Sequence, residues 1–369
     1  MRFKEDEVLG MSQSIRACVV GATGYAGIEA VRLLLRHPSF ELAMATDRKL
    51  VGTKLAEVYP GLAGITDLAF SAPVAEDIAA AADVAFLAVP HTASLALTPA
   101  LIAAGVSVID LSADYRLKDA SVYEEWYGVK HTSPELLDEA VYGLPELARK
   151  DLAKLAEKRE SGKAVLVAAP GCYPTATALA SVPALEAGFV SGDLVISDAI
   201  SGVTGAGRTP NARTHFCHAD ESVEAYGVAH HRHTPEMEQT LSAAARRPIS
   251  VVFTPHLAPL KRGLLATVYL PMAEDATADE FFGAYVARYE KEPLVEVLPQ
   301  GQMPQTASVA GSARAQVGLG FDTRRRRMAI VSCAIDNLGK GAAAQAIQCA
   351  NAVFGLPETE GLDLIQPLA

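Results

Sequence analysis

The chain has 369 residues, of which 50% are apolar and 20% are charged, so it can bury a large core and favours two domains over one. A formal net charge of -11 argues against a nucleic-acid partner, because phosphate backbones are held by clustered Lys and Arg. No stretch approaches the ~20 consecutive apolar residues of a membrane span, which argues against a membrane partner.

The cysteines and the amino-terminal segment bear on the cellular compartment. Five scattered cysteines, an odd number, do not make a disulfide framework for a chain of this size, and they favour a reducing, cytoplasmic location. Residues 1–13 carry acidic side chains where a signal peptide needs an apolar core. We expect these residues to form a disordered extension.

The first half of the chain alternates apolar runs with amphipathic segments. This alternation predicts an α/β fold, in which crossover helices cover a parallel sheet of the Rossmann type. The predicted strands span 15–20, 41–46, 84–89 and 106–111, and the first predicted helix spans 25–36.

The pattern changes near residue 170, where longer apolar runs come with wider loops. The runs at 194–200, 250–255 and 264–270 predict a second, α+β domain on a mixed or antiparallel sheet. Residues 337–354 form an Ala-rich helical segment with too little bulk to stand alone, so it is expected to dock on the first domain. The predicted domains are therefore 14–170, completed by 337–369, and 171–336.

A glycine-rich turn predicts a dinucleotide site. Gly21, Gly24 and Gly27 fall between the first predicted strand and the first predicted helix. In such a turn the backbone bends sharply, exposes N–H groups to a pyrophosphate and aims the positive end of the helix at it. The GxxGxxG spacing departs from the generic GxGxxG, but its location favours nucleotide binding over a merely tight turn.

The end of the second predicted strand is where the cofactor ribose is expected. Asp47 alone would suggest NAD, whereas Arg48 and Lys49 are able to hold the 2′-phosphate of NADP. We favour NADP(H), with a charged surface turn as the alternative.

Cys172 follows an apolar run and precedes a predicted helix with Pro174 near its first turn. Free N–H donors and the helix dipole favour the ionised form of a thiol at such a position, which makes it more nucleophilic. An inert, buried cysteine is the alternative reading. Cys172 is therefore a candidate nucleophile.

Six of the nine histidines fall between positions 215 and 256. His231 and His233 precede Thr234 and Pro235, a plausible N-cap and first helical residue, so both would lie where a loop enters a helix. Glu236 is suited either to orienting a histidine or to binding substrate. Ordinary surface histidines are the alternative, and a metal site is disfavoured because there is no HExxH or CxxC pattern.

Two arginines follow predicted strands in loops suited to ligand contact. Arg208 ends the glycine-rich segment SGVTGAGR, and Arg116 ends LSADYR. A guanidinium offers a fork for a carboxylate or phosphate, although either residue could form an ordinary ion pair instead.

Together these motifs resemble the N-acetyl-gamma-glutamyl-phosphate reductase family over nearly the full chain, from Ile15 to Leu356. The family is related to aspartate-semialdehyde and glyceraldehyde-phosphate dehydrogenases, whose chemistry runs through a cysteine thioester. The matching segments are GATGYAG, FLAVPHTAS, VIDLSADYRL, AVYGLPEL, APGCYPTA, SGVTGAGR, ESVEAYGVAHHRHTPEMEQ, FTPHLAPLKRGLLATVY and AIDNLGKGAAAQA.

The resemblance implies a role for each matching residue. Cys172 would be the nucleophile and either His231 or His233 the acid/base, with a preference for His231. Lys340 would lie near the phosphate. The implied substrate contacts are Arg116, Arg208 and Glu236. The implied cofactor contacts are Gly21, Thr23, Gly24, Tyr25, Gly27, Arg48, Pro90, His91, Gly202, Gly205 and Asn337.

The resemblance further implies NADPH-dependent reduction of an acyl phosphate to an aldehyde in arginine biosynthesis, by a homodimer or homotetramer whose second domain is both catalytic and dimerising. Two alternatives stay open: a reductase of the homologous aminoadipyl phosphate in lysine biosynthesis, and an inactive NADP-binding regulator. The sequence departs from the family pattern at Ala313, where Asn is expected, and at Ala344, where Gly is expected.

Overall fold

The computed structural model describes residues 14–324 and 327–366, and within them the chain forms two β-sheets. The expectation of a disordered extension at residues 1–13 lies outside the described residues. No helix in the described ranges is both long and apolar enough to cross a membrane.

The first sheet is parallel throughout, in the order β2-β1-β3-β4-β6-β5. Its strands are β1 Ile15–Val20, β2 Phe40–Thr46, β3 Val84–Leu87, β4 Ser107–Asp110, β5 Val141–Tyr142 and β6 Leu166–Ala168. The helices around it are α1 Tyr25–Leu34, α2 Leu55–Val58, α3 Ala75–Ala81, α4 Ala93–Ala103, α5 Ala120–Tyr127, α6 Glu135–Glu139 and α7 Pro145–Glu160. Since β3 and β4 are buried along their whole length, both faces of the sheet centre are covered, as parallel sheets require.

The register of this sheet brings the loops that carry function to one edge. Val20 pairs with both Thr46 and Leu87, and Leu87 pairs with Asp110, so four strands end at the same level. In parallel sheets, ligands bind at this carboxyl edge. The predicted parallel sheet with crossover helices is confirmed.

The second sheet is mixed, in the order β11-β12-β13-β10-β7-β9-β8. Its strands are β7 Leu194–Gly202, β8 Glu224–Ala225, β9 Ser250–Ala258, β10 Leu264–Pro271, β11 Val295–Val297, β12 Ala315–Asp322 and β13 Met328–Ile335. The helices of this half are α8 Cys172–Glu186, α9 Phe216–Ala219, α10 Thr234–Ala245 and α11 Ala278–Tyr289. The β7–β9 and β11–β12 pairs are parallel and the remaining pairs are antiparallel, which confirms the expected mixed sheet.

Helix α8 is the centre of the second core. Every residue from Tyr173 to Leu185 is buried, as is typical of a helix without a solvent-facing side. It packs on α10 and on one face of β10, where every second residue is buried. The first residue of α8 therefore lies where the chain passes from β6 of the first sheet to a helix packed on the second sheet.

The carboxy-terminal segment packs back on the first half. It begins with a π-helical turn, Gly339–Ala343, and continues as α12 Ala344–Val353, which contacts α1 and α7. The single predicted helix is therefore divided in two, and the π-helical turn contacts the start of α8. The predicted division between residues 170 and 171 falls between β6 and α8, and the domain limits stay a prediction.

Candidate active site

A cleft of about 820 Å³ runs along the carboxyl edge of the parallel sheet. Its walls come from the loops after β1, β2, β3 and β4, from the start of α8, from the loop after β7, and from the π-helical turn.

The glycine-rich turn forms one part of this lining. Gly21 has φ +81°, and a Cβ there would come within 2.5 Å of the Ala88 carbonyl oxygen, so no other residue fits without a backbone shift. Thr23, Gly24 and Tyr25 line the cleft at the start of α1. Gly27 faces the turn instead, where a Cβ would lie 2.2 Å from the Gly21 oxygen. Gly27 therefore lets α1 pack against the turn and is not placed for a direct cofactor contact.

The residues after β2 form a charged part of the cleft wall. Asp47 accepts a hydrogen bond from the Thr23 hydroxyl at 2.5 Å, and its other oxygen accepts the backbone N–H groups of Lys49 and Leu50. Burial alone would raise the pKa of Asp47, but these hydrogen bonds outweigh burial and lower it. Arg48 and Lys49 are exposed and line the cleft beside it.

Arg208 lies beside the glycine-rich turn. Its Nη1 donates to the Thr23 carbonyl oxygen and to the Tyr59 hydroxyl, both at 2.8 Å. The guanidinium also lies over the Tyr59 ring, 5.2 Å from the centroid. The loop after β7 thus brings Arg208 to the glycine-rich turn within the same cleft, and its contact with substrate stays a prediction.

Cys172 is the first residue of α8 and lines the same cleft as the glycine-rich turn. The π-helical turn packs tightly against it, since a Cβ on Gly341 would lie 2.8 Å from the Cys172 Cβ. Burial raises the pKa of the Cys172 thiol to about 11, although the Tyr173 N–H and the Arg116 charge act in the opposite direction. The donors at the helix start act in the expected direction, but burial outweighs them.

His233 lies directly against the residue that precedes the cysteine. A Cβ on Gly171 would come within 2.5 Å of His233 Nε2, and Arg116 Nη1 lies 3.5 Å from the same nitrogen. His233 Nδ1 is buried without a hydrogen-bond partner among the described residues. Burial, and then the neighbouring His231 and Arg116, lower the pKa of His233 well below its ordinary value. The ring is therefore neutral and able to accept a proton.

His231 is separated from the cleft by His233. Its Nδ1 accepts the His233 backbone N–H at 3.2 Å, and its ring packs edge-on against Tyr173, Tyr226 and Phe253. Burial lowers its pKa to about 4. Of the two candidates, His233 is the one that lines the cleft within the described chain, so the preference for His231 is not supported by this geometry.

Arg116 is buried at the Cys172 side of the cleft. Its Nε donates to the Ala169 carbonyl oxygen and its Nη2 to the Leu111 carbonyl oxygen, both at 2.8 Å. Its Nη1 donates to Glu236 at 3.3 Å. Three of the five N–H groups of the guanidinium are thus used by protein oxygens and a fourth by His233 Nε2, which leaves one, on Nη2, without a partner among the described residues.

Glu236 lies behind the wall of the cleft and is 1% exposed. Its carboxylate accepts from Arg116, from the Gly171 backbone N–H at 2.9 Å and from the Tyr142 hydroxyl at 2.8 Å. Glu236 is not part of the cleft lining, and its carboxylate is occupied by these three protein donors; a direct contact with substrate stays a prediction.

Of the remaining predicted cofactor residues, four line the cleft and one packs elsewhere. Pro90, His91, Gly205 and Asn337 line the cleft, and Asn337 is held by hydrogen bonds with Thr204 and the Gly263 N–H. Gly202 packs instead against the loop after β9, where a Cβ would lie 2.8 Å from the Leu260 oxygen.

Lys340 does not face the cleft, which corrects the expectation that it lies near the phosphate. Its Nζ donates to Glu146 and Gln348, both at 2.7 Å, and the Lys340–Glu146 pair is fully buried. The two departures from the family pattern, Ala313 and Ala344, are buried in the core beside α12 and lie away from the reacting groups.

Sequence reasoning missed three residues of the site. Gly171 and Gly341 give His233 and the π-helical turn access to Cys172, and Thr204 holds Asn337. Both glycines stand inside segments already recognised as motifs. Only the long-range packing shows that the missing Cβ leaves room for His233 beside Gly171 and for Cys172 beside Gly341. No group of three or more His, Cys, Asp and Glu residues in the described ranges is arranged to hold a metal ion.

Two family models match successive parts of this chain. Residues 16–155 match the family model for the NAD-binding domain of semialdehyde dehydrogenases, and residues 172–337 match the model for their dimerisation domain. The N-acetyl-gamma-glutamyl-phosphate reductase of Symbiobacterium thermophilum is 49% identical over 95% of this chain and 97% of its own length. That of Halorhodospira halophila is 46% identical over 95% of this chain and 98% of its own length.

Solved structures share the fold at low sequence identity. Aspartate semialdehyde dehydrogenase II of Vibrio cholerae, solved with ASA, is 18% identical with a TM-score of 0.67, covering 93% of this chain and 98% of its own. The Candida albicans enzyme, solved with NADP, is 16% identical with the same TM-score, covering 92% of this chain and 98% of its own. The predicted fold class, a Rossmann-type domain followed by an α+β domain, is confirmed.

Proposed function

The chain belongs to the N-acetyl-gamma-glutamyl-phosphate reductase family, and we propose from this membership that it reduces N-acetyl-gamma-glutamyl phosphate to the semialdehyde with release of phosphate. The single observation that carries the proposal is the meeting of Cys172, His233 and Arg116 in a cleft that also contains a dinucleotide turn. A nucleophile, a neutral base, a cation and a cofactor site are the parts that this reaction needs.

We propose NADP(H) as the cofactor. The first-turn N–H groups of α1 have no acceptor within the helix and suit the pyrophosphate. Arg48 and Lys49 line the cleft beside Asp47, whose oxygens already accept three protein donors, so the cations are the groups available to a 2′-phosphate. NADPH, when bound, supplies the hydride.

The first chemical step is attack by Cys172 on the acyl carbon of the substrate. Because burial raises the pKa of the thiol to about 11, a base is needed to take the proton, and neutral His233 is adjacent. The sulfur forms a thioester as the bond to phosphate breaks. The charge of Arg116 and its remaining N–H group would hold the carboxylate or the departing phosphate during this step.

The second step converts the thioester to the aldehyde. Hydride addition to the thioester carbon would give a hemithioacetal oxyanion, and we propose that the backbone N–H groups of Cys172 and Tyr173 stabilise it. His233 returns its proton to this oxygen and removes it again as the carbon–sulfur bond breaks. The products are the aldehyde and free Cys172, with net consumption of one proton.

The assembly and location follow from the same assignment. Because residues 172–337 match a dimerisation domain, we propose a homodimer or homotetramer. A biosynthetic reductase that depends on a free cysteine works in a reducing compartment, so we propose that it is cytoplasmic.

The test is the reverse reaction, with NADP+, inorganic phosphate and N-acetylglutamate semialdehyde, followed by NADPH absorbance. We expect phosphate-dependent NADPH formation by the wild type and none by Cys172→Ala. Cys349→Ala, which truncates a cysteine buried in α12, is the matched control and retains activity. An absence of turnover by the wild type would disprove the proposed reaction, and an active Cys172→Ala would disprove covalent catalysis.

A further inference from the structure

The carboxylate of Glu236 joins three elements behind the reacting groups. Its Oε1 accepts the Gly171 backbone N–H at 2.9 Å and the Tyr142 hydroxyl at 2.8 Å. Its Oε2 accepts Arg116 Nη1 at 3.3 Å. Gly171 precedes the nucleophile Cys172, so one side chain is connected both to the start of α8 and to the cation of the cleft.

Tyr142 is the member of this network without a role in the proposed chemistry. It ends β5, the edge strand of the parallel sheet, and it lines a separate cavity of about 690 Å³ behind the active site. Burial, and then the Glu236 charge, raise the pKa of Tyr142 well above its ordinary value. Its hydroxyl therefore stays protonated and donates to Glu236 across the working pH range.

The bond from Tyr142 restricts the orientation of the Glu236 carboxylate. With two donors on Oε1, the carboxylate plane is fixed and Oε2 is directed at Arg116. Without the hydroxyl, Oε1 loses one of its two hydrogen bonds. A buried carboxylate with an unfilled acceptor position reorients toward other donors. Arg116 is the charged donor bound to this carboxylate, so the position of its guanidinium in the cleft would change with it.

We infer that Tyr142 is a positioning residue for the reductase reaction: through Glu236 it fixes the aim of Arg116 and the backbone of Gly171 beside Cys172. This inference rests on the proposed function. Tyr142 touches neither the nucleophile nor the cleft, so its effect is transmitted entirely by the carboxylate.

The first test compares two matched Tyr→Phe variants in the reverse assay. Tyr142→Phe removes the bond to Glu236, whereas Tyr289→Phe removes a more deeply buried bond of the same length, 2.8 Å, to the Leu179 carbonyl oxygen inside the second core. We expect Tyr142→Phe to lower kcat about tenfold, as one hydrogen bond to a charged group implies, with an unchanged KM for NADP+. Tyr289→Phe keeps the wild-type kcat.

A double-mutant cycle with Glu236→Gln separates positioning from general destabilisation. If Tyr142 acts through the carboxylate, adding Tyr142→Phe to Glu236→Gln lowers kcat by less than about threefold. Full additivity of the two effects on kcat, or a Tyr142→Phe variant that matches Tyr289→Phe, overturns the inference while leaving the proposed function intact. A wild type without turnover overturns both.

Discussion

The imidazole of His233 lies against the α-carbon of Gly171, where a Cβ would approach its Nε2 to 2.5 Å. Gly171 has φ −70°, a value open to any residue, so backbone conformation does not require glycine there. The requirement comes from the histidine and from Arg116, whose Nη1 would lie 3.0 Å from the same Cβ. The proposed base, His233, therefore keeps its place beside the residue before Cys172 only because that residue has no side chain.

Replacing this glycine is expected to impair catalysis more than folding. Gly171→Ala displaces the His233 ring, and loss of a positioned base costs about 100-fold or more in kcat. Gly283→Ala in α11 is the control, since a Cβ there meets nothing within 4 Å in the described chain. Steady-state kinetics and thermal unfolding of both variants provide the measurement. Wild-type kcat in Gly171→Ala would show that His233 need not stay in this position.

The two histidines are expected to differ in their effect on turnover. His233→Asn removes the ring that lines the cleft and should lower kcat about 100- to 10,000-fold, the range of general acid–base catalysis. His231→Asn removes a ring packed on three aromatic side chains and should act mainly on stability. The comparison is made on kcat per folded molecule. The reverse order of the two effects would return the acid/base role to His231.

The rate of Cys172 alkylation is expected to depend strongly on pH. With a thiol pKa of about 11, roughly one molecule in a thousand carries the thiolate at pH 8. Because the thiolate is the reactive form, the rate with iodoacetamide should rise about tenfold per pH unit from pH 7 to 10. Peptide mapping by mass spectrometry separates this site from the exposed Cys217. A rate that levels off below pH 9 contradicts the raised pKa.

Cofactor preference is expected to depend on the cations after β2. Arg48→Ala should raise the Kd for NADPH about tenfold, since a charge-assisted bond to the 2′-phosphate is lost, and leave the Kd for NADH unchanged. NADH lacks that phosphate and is therefore the matched control ligand. Fluorescence titration gives both constants. An equal loss for the two nucleotides would mean that Arg48 does not recognise the 2′-phosphate.

The parts of the site that the sequence predicts correctly are those fixed by local structure. Gly21 needs a positive φ and Cys172 begins a helix, and both features are set by neighbouring residues. The surroundings of Arg208, Glu236 and Lys340 each include a partner at least 65 residues away in the chain, which no local pattern specifies. His231 and His233 are two residues apart in one loop, so only packing distinguishes the buried ring from the ring in the cleft.

The buried pair of Lys340 and Glu146 is expected to act on stability and not on phosphate binding. Lys340→Met leaves the Glu146 charge without its cation in a fully buried site, where removing one partner costs about 3–5 kcal/mol in the free energy of unfolding. Adding Glu146→Gln to this variant removes the unpaired charge and should restore part of the loss. Urea unfolding measures both changes. Because Lys340 is directed away from the cleft, the KM for phosphate of the folded Lys340→Met enzyme should equal that of the wild type, whereas a KM raised tenfold with unchanged stability would mean that the lysine holds phosphate after all.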